Sequence, residues 1–423
     1  MEHRVIDKKK YKINLIKTDR FKTIVVRITF INNFNEEFVK NVPLLQKLLV
    51  TKSKKYDSNV KLVRELEKLY LPNISTSSNM YGNYFLINFS LEMINPKFTE
   101  VDMYNKSFKI FNELLLNPAA DEYGFFKDIF YVDKKTVISN IERASENGTV
   151  LAENIYDKNM FKGTSYEYTT YNVLDKIKKI NNKKLYDFYK KLINKSKVVV
   201  TVLGDFDENI VLKNIEKLMK KIKTTDNLAK INLKEIETKK VNIIKLKKDF
   251  FQSTLLVGYK FYNLTEYERH YVLPVYNMIL GSMNNSILFV NVREKHSLCY
   301  SVISYLHKMV PALTIECGIS AKNYDKALNI IKKSVKLMND KKEIERLYKN
   351  AINTINLSLN DIYDSTDRII DIYLYQEFDN TDGIEEKRAK YNSVTVQDII
   401  SLNKKIKLNT VLFMEGQYEE NWF

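Results

Sequence analysis

The ten residues Thr23–Asn32 (TIVVRITFIN) align without a gap on Thr254–Asn263 (TLLVGYKFYN), 231 positions apart. The threonine, Val26/Val257, Phe30/Phe261 and Asn32/Asn263 coincide, and at the same offset Pro43 falls on Pro274 and Leu49 on Leu280. The halves also close alike: Val198–Gly204 (VVVTVLG) matches Thr410–Gly416 (TVLFMEG) in type, 212 positions apart. A match this loose carries little alone, but the same order of elements at both ends makes it a duplication. So long a period means two copies of one domain, not a solenoid, and the smaller second offset makes the second copy the shorter.

Each copy reads as strands and helices in the same order. In the first, the patterns predict strands at 11–17 and 23–32, helices at 36–51 and 58–70, and paired strands at 73–80 and 83–93. Helices then fill most of 101–195, broken at Asn117-Pro118, before a strand at 197–204. Val211, Ile215, Leu218 and Ile222 place a buried stripe on the helix that follows. The second copy predicts strands at 241–248 and 253–261, helices at 265–281 and 284–294, strands at 298–306 and 312–319, then helices. Strands meeting as hairpins, with helices gathered elsewhere, indicate an α+β class. The expected organisation is a domain at 1–223, a polar linker at 224–240 and a homologous domain at 241–423.

At 423 residues, the chain exceeds what one core usually serves, roughly 250–300 residues, which agrees with two domains. The N-terminus carries charges throughout and lacks the apolar stretch of a signal peptide, and no run approaches a membrane span. Two cysteines are too few for a disulfide scaffold. Together these lead us to expect a cytoplasmic protein. The formal net charge of +16 raises nucleic acid as a partner. However, the excess is built from 58 Lys against 10 Arg, scattered over many helices, so no nucleic-acid partner is expected.

Chemistry has few places to sit. With His3, His270, His296 and His307 as its only histidines, the chain has no His-x-x-x-His pair. His296, Cys299, His307 and Cys317 are close in sequence, but strand alternation would scatter them. Glycine-rich phosphate loops and the Gly-x-Ser-x-Gly sequence are missing too. One constellation stands out: Asn291-Val292-Arg293-Glu294-Lys295-His296-Ser297-Leu298-Cys299-Tyr300. It puts Arg293 at a helix end and Tyr300 at a strand start, both bordering one turn. A guanidinium and a phenol there could jointly donate hydrogen bonds to a carbonyl or oxyanion. On residue types alone, a plainer reading fits better: an Arg neutralising a helix C-terminus and a Tyr packed in a sheet.

The stretch NNSILFVNVREKHSLCYSV resembles the second-domain signature of the insulinase/pitrilysin-type metallopeptidases, in their half-length class. The resemblance implies two homologous α/β domains of the insulinase-like fold in a chain that pairs with another around a chamber. It also implies that Arg293 and Tyr300 are the pair that orients the scissile peptide and stabilises its oxyanion. Active members carry His-x-x-Glu-His on the first helix and a glutamate well downstream. Here Pro43, Gln46 and Lys47 stand at those first three positions, and Asn140 (or Ser139) at the fourth. Proline has no ligand atom, an amide is no general base, and an ammonium repels zinc, so no metal is expected on this chain.

The half-length class includes pairs in which one subunit carries zinc and the other only the Arg/Tyr pair, and this chain is similar to the second kind. Its stretches VRELEKLYLPNISTSSNMYGNYFLINFSLE and YEYTTYNVLDKIKKINNKKLYDFYKKLI look most like a zinc-less bacterial branch named for elongation factor P modification. The resemblance thus implies a heterodimer with a zinc-bearing homologue and a peptide substrate. Leader-peptide processing and other peptide turnover stay open, as does an adaptor role with a vestigial peptidase fold.

Overall fold

The structure is a computed structural model that describes residues 1–231, 240–379 and 381–417. Its first sheet joins β1 (Glu2–Asp7), β2 (Lys12–Lys17), β3 (Thr23–Asn33), β4 (Asn73–Tyr81), β5 (Tyr84–Ile94) and β8 (Lys197–Gly204) in the order β1-β2-β8-β3-β5-β4. The dipeptides β6 (Ala120–Asp121) and β7 (Gly124–Phe125) form a separate hairpin. The second sheet joins β9 (Asn242–Lys248), β10 (Ser253–Phe261), β11 (Cys299–His307), β12 (Ala312–Ile319) and β13 (Ile406–Gly416) in the order β11-β12-β10-β13-β9.

The duplication is written in this topology. Strand β2 runs parallel to β8 and β9 parallel to β13, while every other pairing in both sheets is antiparallel. Matching β2 to β9, β3 to β10, β4 to β11, β5 to β12 and β8 to β13 makes the two strand orders identical, with β1 added to the first. The aligned segments of the sequence are β3 and β10. Both are buried almost end to end, as central strands covered on two faces must be. The outer strands are polar: Ser75, Ser77 and Ser78 on β4, Lys245, Lys247 and Lys248 on β9. Such residues blunt an edge against pairing with a foreign strand.

In the first half the helices are α1 (Glu36–Thr51), α2 (Asn59–Glu67), α3 (Met103–Leu116), α4 (Lys127–Ala144), α5 (Gly148–Met160), α6 (Leu174–Lys178), α7 (Asn182–Lys195) and α8 (Glu208–Met219). Six of these helices start on a side-chain cap, with Asn35, Ser58, Asp102, Asn147, Asn181 and Asp207 accepting from first-turn amides. The expected helix over 265–281 is present in pieces, with π-turns at Glu268–Val272 and Met278–Ser282 around Leu273–Asn277.

Contacts divide the described chain into two compact units that are not contiguous in sequence. One comprises Met1–Ile141, Val173–Asn232 and Tyr363–Thr381; the other comprises Glu142–Asn172, Leu233–Ile362 and Asp382–Phe423. A linear reading of the sequence contains no such exchange. Helix α5, from the first half, packs on the second sheet: Leu151, Ala152, Tyr156 and Met160 join Leu256, Ala312, Leu412 and Met414 in one apolar cluster. The reciprocal helix Thr366–Gln376 packs in the first unit, where Leu374 lies with Ile31, Leu86 and Val199. Its Asp367 and Asp371 both pair with the buried Arg27 of β3.

Residues 224–231 of the expected linker are tied to the first unit: Ala229 N–H donates to Asn33 Oδ1 (2.9 Å), and Asn33 Nδ2 donates to the Asn227 carbonyl (2.9 Å). Residues 232–239 lie outside the described residues.

Candidate functional site

Two places carry the residues singled out by the sequence. The first is α1. Its start is fixed by the Asn35 cap and by Glu36 and Glu37 in the first turn. Val39, Val42, Leu45 and Leu49 face the core, while Pro43, Gln46 and Lys47 share a half-buried face. Pro43 sits inside the helix and cannot donate to the carbonyl one turn back. Gln46 Oε1 accepts from Ser78 Oγ at 3.5 Å, long for a hydrogen bond, and its Nε2 is buried without a partner.

The α4 side chain brought towards Lys47 is Asp133, while Ser139 and Asn140 are exposed further along that helix. Asp133 is buried, and burial pushes its carboxyl up while the Lys47 and Lys52 ammoniums pull it down. Thr51 Oγ1 lies 3.5 Å from Asp133 Oδ2. A single carboxylate beside an ammonium, an amide and a proline is a poor donor set for a divalent metal. Among the described residues, no three His, Cys, Asp or Glu side chains are grouped to hold one. Sequence reasoning missed Asp133 because a lone Asp in a lysine-rich helix looks like part of a solvated face.

The second place is the turn between Arg293 and Tyr300. Arg293 lies in the last turn of a π-helical segment, Phe289–Glu294, preceded by Ser286, whose carbonyl accepts from Val290 N–H at 3.0 Å. The segment closes at Ser297, a left-handed residue (φ 49°), with Leu298 N–H reaching back to the Val292 carbonyl (3.1 Å). His296 Nδ1 meets the Asn291 carbonyl at 2.6 Å, a contact that ties this histidine to the turn.

Leu298 and Cys299 then enter the core. The ladder between β11 and β12 slips between Cys299 and Val302, so Tyr300 lies within a bulge. Tyr300 is 76% exposed. Arg293 lies between two rings, its Cζ 4.7 Å from the Phe289 centroid and 5.2 Å from that of Tyr300. Both contacts are within cation–π range, so the two rings orient the guanidinium. The turn therefore presents a planar fork of donors next to an exposed phenol. Neither group needs to change protonation to donate a hydrogen bond.

The other sequence cluster does not converge. Cys299 and Cys317 are buried thiols, with burial pushing Cys299 up to about 11 and Cys317 higher still. His307 Nε2 instead meets Thr314 Oγ1 at 3.3 Å, and its ring lies 4.5 Å from that of Phe161.

The described residues thus form a duplicated α+β chain with two like-ordered sheets. Residues 179–350 match the family described as "Peptidase M16 inactive domain". The chain is 26% identical over 410 residues, 95% of each chain, to "Probable inactive metalloprotease YmfF" of Bacillus subtilis (strain 168). It is 24% identical over 201 residues, about half of each chain, to "Uncharacterized zinc protease YmxG" of the same organism. Among solved structures it superposes on a conserved protein from Enterococcus faecalis V583 with a TM-score of 0.90 at 21% identity, covering 99% of this chain and 100% of that one. The peptidase M16 inactive domain from Pseudomonas fluorescens gives 0.78 at 17% identity, covering 100% of both. The matched residues and these relatives agree with the family resemblance drawn from the sequence.

Proposed function

We propose that this chain is the non-catalytic subunit of a two-chain peptidase. It lends Arg293 and Tyr300 to a zinc-bearing homologue that cuts peptides. The observation that carries this reading is the asymmetry between the two sites. The α1 face has lost every metal-binding type, whereas Arg293 is held between Phe289 and Tyr300 with the phenol exposed. A solvent-facing tyrosine on a strand bulge, with an arginine stacked beside it, serves no packing need.

In the paired enzyme the partner's zinc supplies the Lewis acid. Arg293 and Tyr300 would hold the scissile carbonyl and donate more strongly as charge builds on its oxygen. Donors fixed before the reaction gain most there, because no reorganisation is needed. Mixing the chain with a zinc-motif homologue from the same cell, followed by light scattering and a peptide-cleavage assay, tests this. We expect a one-to-one pair and cleavage that neither chain shows alone. A pair that forms without altering cleavage would support an adaptor role instead.

A further inference from the structure

Two helices of the first unit border a cleft that neither the peptidase reading nor the packing of the core accounts for. On α3, Asn105, Lys109, Asn112 and Leu116 recur at helical spacing and so share one flank. On α8, Asn214, Lys217 and Leu218 do the same, and Lys221 follows in the turn that closes the helix. Asn214 Nδ2 donates to Asn105 Oδ1 at 3.3 Å, and the Asp207 amide at the start of α8 donates to Tyr104 Oη of α3 at 2.8 Å. With the helices pinned in this way, the two flanks line a cleft of about 500 Å³, within the size range of small-molecule sites.

The charge of the lining is mostly of one sign. Lys109, Lys217 and Lys221 border the cleft with a single carboxylate, Glu113. Among the described residues, none of these ammoniums is held in an ion pair, because the acids of the region are engaged elsewhere. Glu208 pairs with Arg4, Glu216 with Lys8 and Glu65 with Lys68. Glu113 accepts from the Lys55 amide (3.1 Å) and from Asn117 Nδ2 (2.8 Å). Three ammoniums against one carboxylate leave two positive charges in excess. Neutralising a helix C-terminus accounts for Lys217 and Lys221. It does not account for Lys109, in the middle of α3.

The uncharged lining narrows the chemistry. Leu116 and Leu218 supply apolar surface. Asn112 has its Oδ1 buried without a hydrogen-bond partner among the described residues. An unmatched acceptor is costly, and an Asn amide turns readily about χ2 towards a donor. A phosphate dianion offers no donor; a ring hydroxyl does.

We propose that this cleft binds a phosphate monoester of a hydroxylated ring, a sugar phosphate or a mononucleotide. Such an ester carries a charge of about −1.5 to −2 at neutral pH, which matches the excess of the lysines. Lysines serve here as point charges that can follow the phosphate oxygens. The ring rests on Leu116 and Leu218 and gives a hydroxyl to Asn112. No residue of the Arg293–Tyr300 turn takes part, so the site stands or falls apart from the peptidase reading.

Isothermal titration calorimetry on the full chain in about 0.15 M salt tests this, with glucose 6-phosphate, AMP and inorganic phosphate as probes. At least one ester should bind stoichiometrically with a Kd below about 1 mM, and about tenfold or more tighter than inorganic phosphate. The tighter ester tells a sugar site from a nucleotide site. The Lys109→Met, Lys221→Met double variant should weaken it about tenfold or more. As a control, Lys333→Met with Lys336→Met removes the same charge from the helix Tyr324–Lys336 of the other unit and should leave binding unchanged. Failure of both esters to bind below about 1 mM, or inorganic phosphate binding within about tenfold of the better ester, would overturn the proposal. So would a control that loses as much as the cleft variant. If the cleft variant does not fold, hydrogen exchange on the wild-type chain decides. Saturating ester should slow exchange at 105–117 and 214–221; no slowing there would overturn the proposal.

Discussion

Replacing Gly258 by alanine should unseat α5 from the second sheet. A Cβ at this position would lie 2.0 Å from Tyr156 Oη and 2.7 Å from Met160 Sδ. The thioether is unbranched and can swing away; the phenol is wholly buried and tied to Thr314. Moving the ring forfeits that hydrogen bond, about 1–3 kcal/mol when a buried hydroxyl is stranded. Overfilling the packed face adds about 1–3 kcal/mol, and stiffening the unfolded chain returns up to about 1 kcal/mol. The net loss is about 1–6 kcal/mol, centred near ~3 kcal/mol, and a loss of ~3 kcal/mol lowers the thermal midpoint of a unit this size by about 6–12 °C.

Calorimetry on Gly258→Ala, Tyr156→Phe and the double variant forms a cycle. Tyr156→Phe alone should cost about 1 kcal/mol, because Thr314 keeps its contact to His307. The double variant should be more stable than the sum predicts by about 1–2 kcal/mol, since the colliding hydroxyl is gone. Additive losses, or an alanine variant as stable as wild type, would refute the packing argument.

Metal analysis of the purified chain should find no stoichiometric zinc, because Lys47 and Asp133 leave a single anionic donor at α1; one tightly held zinc per chain would contradict this. Arg27→Met should destabilise the first unit by about 1–3 kcal/mol in urea unfolding, since Asp371 loses its partner while the exposed Asp367 loses little. Cys299 and Cys317 should resist alkylation at pH 8 in the folded chain and react fully in denaturant, because burial keeps both as thiols.

Much of the fold was legible because the strand patterns are local and occur twice. Strands β3 and β10 read as continuous apolar runs, and the proline at 43 and again at 274 marks the helix after each. Strand β1 was missed because EHRVID interleaves charges with two apolar residues, as a solvent-facing edge does. The exchange of α5 was not legible either: the amphipathic pattern of a helix says that it packs, not on which sheet. Only Gly258, an isolated glycine within a strand, hinted at a close approach. The π-turns around Leu273–Asn277 left the period of the pattern nearly unchanged. At the site, Arg293 and Tyr300 stood out through the resemblance of their flanking sequence to a known family, whereas the Phe289 ring that holds Arg293 is visible once the π-helical turn brings it alongside.

The central claim is that this chain contributes chemistry, and Tyr300→Phe tests it most directly, since only a hydroxyl is removed from an exposed ring. Paired with a zinc-bearing homologue, the variant should assemble normally and cleave peptide with kcat lowered by about 10²–10³, the usual worth of one such donor. A wild-type kcat and KM in that pair would contradict the account and leave Arg293 and Tyr300 as a stacked surface pair.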